Sequence, residues 1–229
     1  MTENPQIEAA SDHSLLVTFG ARIDVSLHER VRRLFLSLES AALHGAVNLH
    51  PGYASLLVDF DPLQVPFGEM ENEIRRRLQN EVEQAPAGSR VLEVPACYGA
   101  GFGPDLEAVA GHCGLSAEQV IERHSVPEYL VYFLGFSPGF PYLGGMDPSL
   151  ETPRLESPRK SVPAGSVAIG GSQTGIYPLS SPGGWRIIGR TALRLFEPRR
   201  RPPALMRMGD HVRFRPVTAA EFAELEGRG

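Results

Sequence analysis

The chain has 229 residues, 42% hydrophobic and 21% charged, with a formal net charge of −5. That length can bury a sizeable core in one or two domains. The mildly acidic balance excludes a surface built on net positive charge for nucleic acid or an anionic membrane.

The N-terminal stretch MTENPQIEAASDH has neither a basic nor an apolar signal region, and no apolar run approaches the roughly 20 residues of a membrane span. A cytoplasmic location is therefore expected. Cys97 and Cys113 are too few for a disulfide framework and read as reduced thiols. Residues 14–19, SLLVTF, read as a strand. Residues 27–43 repeat apolar positions at helical spacing (Leu27, Val31, Leu34, Leu38, Ala41), with Ser26 as a suitable N-cap and Gly45 beyond the end. Pro51-Gly52 is a turn signal, so 46–50 and 54–60 read as a hairpin. Residues 66–83 read as a second helix, opened by Pro66 and supported by the i,i+4 pair Glu73–Arg77. Residues 84–89, QAPAGS, read as a linker and 90–96 as another strand. The order strand, helix, strand, strand, helix, strand is that of ferredoxin-like domains, unless the last strand belongs to the second domain. The domains are placed at 1–88 and 89–229, in an α+β chain.

In the second half, helices are expected at 104–113 and at 116–124, the latter opened by a capping box from Ser116 to Gln119. Strands are expected at 128–134, 166–171, 175–179, 184–189, 192–196 and 210–215. Many short strands with Gly/Pro turns argue for a barrel or sandwich. A C-terminal helix follows, with Thr218 and Glu221 as its capping box.

Glycines and prolines are concentrated between Tyr132 and Thr191, which holds 19 of the chain's 44, in loops of the kind that carry function. The run GFSPGFPYLGG, from Gly135 to Gly145, sets aromatics among glycines. It reads either as a backbone that approaches a ligand closely beside an apolar wall, or as a tight turn with core aromatics. SPRKSVPAGSVAIGGSQTGIYP offers Arg159, Lys160, Ser166, Gln173, Thr174 and Tyr177. Arg159 and Lys160 suit a carboxylate or phosphate, although such a pair is also common on solvated surfaces. Lys160 is the only lysine beside 21 arginines, a bias that a genome-wide codon preference also explains. Trp185, the only tryptophan, reads as a core anchor or a ligand contact. His124 closes a helix, either as a dipole complement or as a general base. The histidines show no metal-ligand spacing, and no phosphate loop or nucleophile elbow is present. Residues 186–215 hold nine arginines and two acids, which suits a solvated loop or a docking surface.

At these motifs the chain resembles a known family. YFLGFSPGFPYLGGM, the run from Ser157 to Thr191, and GDHVRFRPV at 209–217 look like the B subunit of bacterial ATP-dependent 5-oxoprolinase. The group is also labelled the Kip-type kinase-inhibitor or allophanate hydrolase subunit 1 family, and its module forms the first half of the carboxyltransferase domain of urea carboxylase. SLLVTFG, YASLLVDFDP and VPACYGAGFGPDLEAVA agree with it. The resemblance implies a small α/β N-terminal domain and a cyclophilin-like β-barrel. It implies partners: a homologous second barrel subunit of C type and a lactam-utilisation-type subunit of A type, with no nucleic acid or membrane. It implies conversion of 5-oxo-L-proline to L-glutamate with ATP, and Mg expected beside the ATP, whether on this chain or on a partner. On that footing Arg159, Lys160 and Gln173 are the expected catalytic group. Gly135, Phe136, Pro138, Gly139, Phe140, Gly165, Ser166, Thr174, Tyr177, Gly184 and Trp185 are the expected substrate contacts, with no metal ligand. The alternatives are a regulator that binds a sensor histidine kinase and a urea-pathway carboxyltransferase subunit. The latter would need biotin from another chain, since no Met-Lys-Met acceptor occurs here. Prolyl isomerisation rests on fold alone.

Overall fold

The computed structural model describes residues 4–40, 43–79 and 90–227. The chain forms two compact units, residues 1–88 and 89–229.

The first unit contains β1 (Gln6–Ser11), β2 (Ser14–Thr18), α1 (Val25–Ser40), β3 (Ala46–Pro51), β4 (Ser55–Phe60) and α2 (Phe67–Gln79). Its sheet is antiparallel in the order β1-β2-β4-β3. Alternation along β2 and β4 buries Leu15, Val17, Leu56, Val58 and Phe60 on one face, as a half-buried strand requires. The helices bury Val31, Leu34 and Leu38 from α1 and Met70 and Ile74 from α2. Each such side chain contributes about 1.5–3 kcal/mol when fully buried.

Two expectations change here. The cap of α1 is Asp24, whose carboxylate accepts the Ser26 and Leu27 amides at 2.9 and 3.4 Å; Ser26 already lies inside the helix. The expected final strand does not join this sheet. Gln6–Ser11 takes the outer position beside β2 instead, so the ferredoxin-like element order is not met. β1 carries little strand propensity, and its pairing with β2 decides its conformation. The expected pair Glu73–Arg77 forms at 2.8 Å, and Arg77 also donates to the Ser37 carbonyl at 3.0 Å, tying α2 to α1. The expected linker at 84–89, and residues 80–83 of the second helix, lie outside the described residues.

The second unit contains β5 (Val91–Tyr98), α3 (Leu106–Cys113), α4 (Ala117–Ser125), β6 (Glu128–Leu134), β7 (Pro141–Gly144), a 3-10 turn (Pro148–Leu150), β8 (Arg159–Val162), β9 (Ser166–Gly170), β10 (Gln173–Ile176), β11 (Ser181–Gly183), β12 (Arg186–Arg190), β13 (His211–Pro216) and α5 (Ala219–Glu226). Seven strands close a barrel in the order β10-β7-β6-β13-β5-β12-β9, while β8 and β11 form a separate ribbon. A closed barrel beside helices is consistent with the cyclophilin-like fold that the resemblance implies. Its core holds Val94, Tyr129, Val131, Leu143, Val167, Ile169, Ile176, Ile188, Val212 and Phe214, joined by Leu106, Val109 and Val120 from the helices. The capping box at Ser116 and Gln119 is complete, while at α5 Thr218 accepts the Glu221 amide.

The expected strand at 192–196 is a loop, held by the isolated bridge Phe196–Ala204 and by the Leu205 amide on the Leu195 carbonyl at 2.7 Å. Conversely, β7 and β8 form where proline, glycine and charged residues argue against strands, because β6, β10 and β11 supply their ladder partners. No helix among the described residues is long and apolar enough to cross a membrane.

Candidate functional site

Alternation along β9 sorts its side chains between two clusters. Val167 and Ile169 point into the barrel, whereas Ala168 belongs to an outer cluster with Phe140, Val162, Tyr177, Trp185 and Ile187. Glycines make room for the rings of this outer cluster. A Cβ on Gly170 would lie 2.6 Å from the Trp185 ring, and one on Gly175 would lie 2.8 Å from the Phe140 ring. On Gly183 it would lie 2.3 Å from the Tyr177 hydroxyl. These glycines are therefore absent side chains under aromatic ones, and not points of close ligand approach. The rings meet edge to face: Phe140 lies 5.3 Å from Tyr177 and 5.5 Å from Trp185, at interplanar angles of 83° and 88°.

Gly170→Ala is accordingly expected to cost about 1–3 kcal/mol by overpacking and to displace the indole. Urea unfolding and the emission of the single tryptophan would check both, and an unchanged emission maximum would contradict the displacement.

The loop between β6 and β7 presents Phe136 above these rings. It is closed by the Ser137 amide on the Gly135 carbonyl at 2.7 Å and the Phe140 amide on the Ser137 carbonyl at 3.0 Å. Phe136 has φ of 64°, unusual for a bulky residue, and is 64% exposed. Its ring lies 5.6 Å from Phe140 and 6.3 Å from Tyr177.

Together these elements enclose a cavity of about 300 Å³. It is lined by Phe136, Phe140, Tyr142, Arg154, Leu155, Pro158, Tyr177, Pro182, Gly183, Gly184 and Trp185. Arg154 lies over the Trp185 ring, 5.6 Å from its centroid. Burial pushes the Tyr142 and Tyr177 phenols upward, so both stay protonated at neutral pH; at Tyr177 the backbone amide of Trp185 works in the opposite sense. A second cavity of about 370 Å³ lies near Pro95, Leu193, Glu197 and Arg200. There Arg200 is already engaged by Glu197 at 3.2 Å and by the Pro203 carbonyl at 3.1 Å. The aromatic cavity gathers the motif residues and is the candidate site.

Of the expected contacts, Phe136, Phe140, Tyr177, Gly184 and Trp185 line it. Gly135, Pro138 and Gly139 shape the loop that carries Phe136. Gly165 and Ser166 do not line it. The Gly165 amide donates to the Tyr177 carbonyl at 2.7 Å, and the Ser166 carbonyl accepts from the Tyr177 amide at 2.9 Å, so they brace the backbone of that tyrosine.

Arg159 lies outside the cavity lining; its Nη2 donates to buried Asp105 at 2.7 Å, while its Nη1 has no hydrogen-bond partner. Lys160 is exposed on the ribbon, outside the cavity lining, and half-buried Gln173 opens β10 outside it. Thr174 faces the barrel interior. Its hydroxyl bonds His124 Nε2 at 2.9 Å and donates to the Ala168 carbonyl at 3.0 Å, while His124 Nδ1 meets the Tyr98 hydroxyl at 2.9 Å. Burial depresses His124 to a pKa of about 3. It is a neutral link in the barrel core, neither a helix-end cation nor a base in reach of the cavity.

Arg154 and Tyr142 were not singled out by sequence. One arginine among 21 carries no signal until the fold sets it over the indole.

The sequence model of the family described as carboxyltransferase domain, subdomain C and D, matches residues 5–206. The B subunit of 5-oxoprolinase from Bacillus subtilis (strain 168) is 41% identical over 232 residues, covering 97% of each chain. The B subunit of 5-oxoprolinase from Escherichia coli O157:H7 is 57% identical over 141 residues, covering 62% of this chain and 65% of that protein. Among solved structures, TTHA0988 superposes with a TM-score of 0.81 at 38% identity, over 90% of this chain and 40% of that one. The chain thus spans nearly all of the Bacillus relative and two fifths of TTHA0988. On the extent of these matches, the chain belongs to the family of the carboxyltransferase domain, subdomains C and D.

Proposed function

We propose that this chain is the B-type subunit of a cytoplasmic ATP-dependent 5-oxoprolinase. In this reading it acts with a homologous second barrel subunit and a lactam-utilisation-type subunit to convert 5-oxo-L-proline to L-glutamate with hydrolysis of ATP. The observation that carries it is the 41% identity to the Bacillus protein of that name over 97% of both chains. The aromatic cavity supports it: about 300 Å³ suits a small ring, and flat apolar walls suit a planar amide.

The residues do not fit a magnesium nucleotide. The cavity lining has one guanidinium and no carboxylate. No group of three or more His, Cys, Asp or Glu side chains among the described residues is placed to hold a metal ion. No step through ATP is therefore assigned to this chain, and the nucleotide belongs with a partner subunit. Lys160, exposed on the ribbon, serves anionic oxygens that another chain brings to it.

The test is co-expression with both partner subunits, followed by an assay of 5-oxoproline-dependent ATP hydrolysis and glutamate release. Lys160→Ala is expected to leave stability within about 0.5 kcal/mol, as for a surface substitution. Turnover is expected to fall about tenfold, a barrier change of about 1.4 kcal/mol. A folded, complete complex without turnover overturns the assignment.

A further inference from the structure

The aromatic cavity has a single formal charge in its lining, Arg154. Unlike Arg159, which Asp105 neutralises, Arg154 has no ion-pair partner among the described residues. Arg154 is exposed as a residue, with its guanidinium 5.6 Å from the Trp185 centroid. It stacks over the face of Trp185, which reduces the side-chain freedom it would lose on binding. The same lining holds the apolar ring of Phe140 and Tyr177, whose phenol burial keeps protonated. The cavity therefore presents three features in one lining: a fork for one carboxylate, a flat apolar wall and a phenol.

We infer that Arg154 is the specificity-determining residue of this site, and that the cavity takes a small cyclic amide bearing one carboxylate. The carboxylate meets Arg154, the ring lies along Trp185 and Phe140, and the amide oxygen faces Tyr177. This rests on the function proposed above and adds a direction to it. Opening the ring adds water across the amide C–N bond and creates an ammonium and a second carboxylate together. The lining has no carboxylate for the ammonium, and its one guanidinium is already committed to the first carboxylate. The ring-opened amino acid is thus a poorer ligand than the closed lactam, and the site favours its departure.

Trp185 is the only tryptophan of the chain, so its fluorescence reads this cavity directly. The probes are 5-oxo-L-proline, its uncharged carboxamide and L-glutamate, titrated into the full chain. The expected result is a saturable change with 5-oxo-L-proline and at least about tenfold weaker binding of the other two, or about 1.4 kcal/mol. Arg154→Gln should bring the acid and the carboxamide to equal affinity, and Arg154→Lys should restore part of the preference. A tenfold preference for the acid that survives in Arg154→Gln overturns the inference, as does the absence of any saturable response in the wild type. In the assembled complex, Arg154→Gln should raise KM for 5-oxo-L-proline about tenfold. An active complex whose KM does not move overturns this inference and leaves the proposed function standing. A carboxylate-selective response of Trp185 beside a folded but inactive complex does the reverse.

Discussion

Asp105→Ala is expected to destabilise the barrel unit by about 2–4 kcal/mol. The Asp105 carboxylate accepts from Arg159 at 2.7 Å through one oxygen and from the Ile187 amide at 2.7 Å through the other. Its own amide donates to the Ile187 carbonyl at 2.9 Å. One side chain therefore joins the start of α3 to β12 and to the ribbon strand β8. It makes no cap hydrogen bond to the helix that it precedes, so helix capping is not what would be lost. Removing it strands a partly buried guanidinium whose Nη1 already lacks a hydrogen-bond partner, together with the Ile187 amide. The Arg159 side chain keeps 30% exposure, which lets water recover part of the loss and holds the expected figure below that of a fully buried pair. Asp105→Asn should cost about half as much, since it still offers the Ile187 amide an oxygen. Urea unfolding followed at Trp185 measures both, and a loss below about 1 kcal/mol for the alanine variant would show that the link is not structural.

Acid should weaken the same unit through His124. Burial holds its folded pKa at about 3, against an ordinary 6.5. Between those values the unfolded chain binds a proton that the folded chain refuses. The contribution of His124 is therefore complete above about pH 6.5 and is lost progressively as pH falls toward 3. At about 1.4 kcal/mol per pH unit, the loss between about pH 6.5 and about pH 4 is about 3 kcal/mol. Tyr98, Tyr129 and Thr174, its neighbours, are neutral throughout this range and do not offset it. Unfolding at about pH 7 and about pH 4.5, read at Trp185, should show this slope in the wild type and a much flatter one in His124→Gln. Equal slopes in the two proteins would assign the acid sensitivity elsewhere. His28, depressed to about 4 by burial, acts in the same sense on the first unit, which Trp185 does not report.

Legibility followed the range of the interactions involved. Helices with a local signal read well: the capping box of α4 and the apolar stripes of α1 and α2 depend on residues three or four positions apart. Strands that depend on distant partners read poorly. β1, β7 and β8 have weak propensity and exist because β2, β6, β10 and β11 lie beside them. For the same reason β5 was visible as a strand, while its sheet was not. At the site, the motif located the aromatic wall but not the purpose of its glycines, which appears only when Trp185, Phe140 and Tyr177 are seen lying on them. Arg159 and Thr174 carried polar groups of the right type, but Asp105 and His124 had already claimed them. Arg154 shows the opposite case, with nothing in its local sequence to distinguish it from its neighbours.

The ladder between β5 and β13 runs parallel, from Val91 beside His211 to Pro216 beside Ala96. It joins the first strand of the second unit to its last. During synthesis on the ribosome, every wall of the aromatic cavity has emerged before the strand that completes the cylinder. Until β13 arrives, β5 and β6 each hold an unpaired edge beside apolar residues meant for the interior, a state prone to pairing with another chain. Contacts this far apart in sequence also form slowly. The most vulnerable stage in the synthesis of this unit thus falls just before β13 is made, when its binding residues are all present and the sheet that supports them is still open.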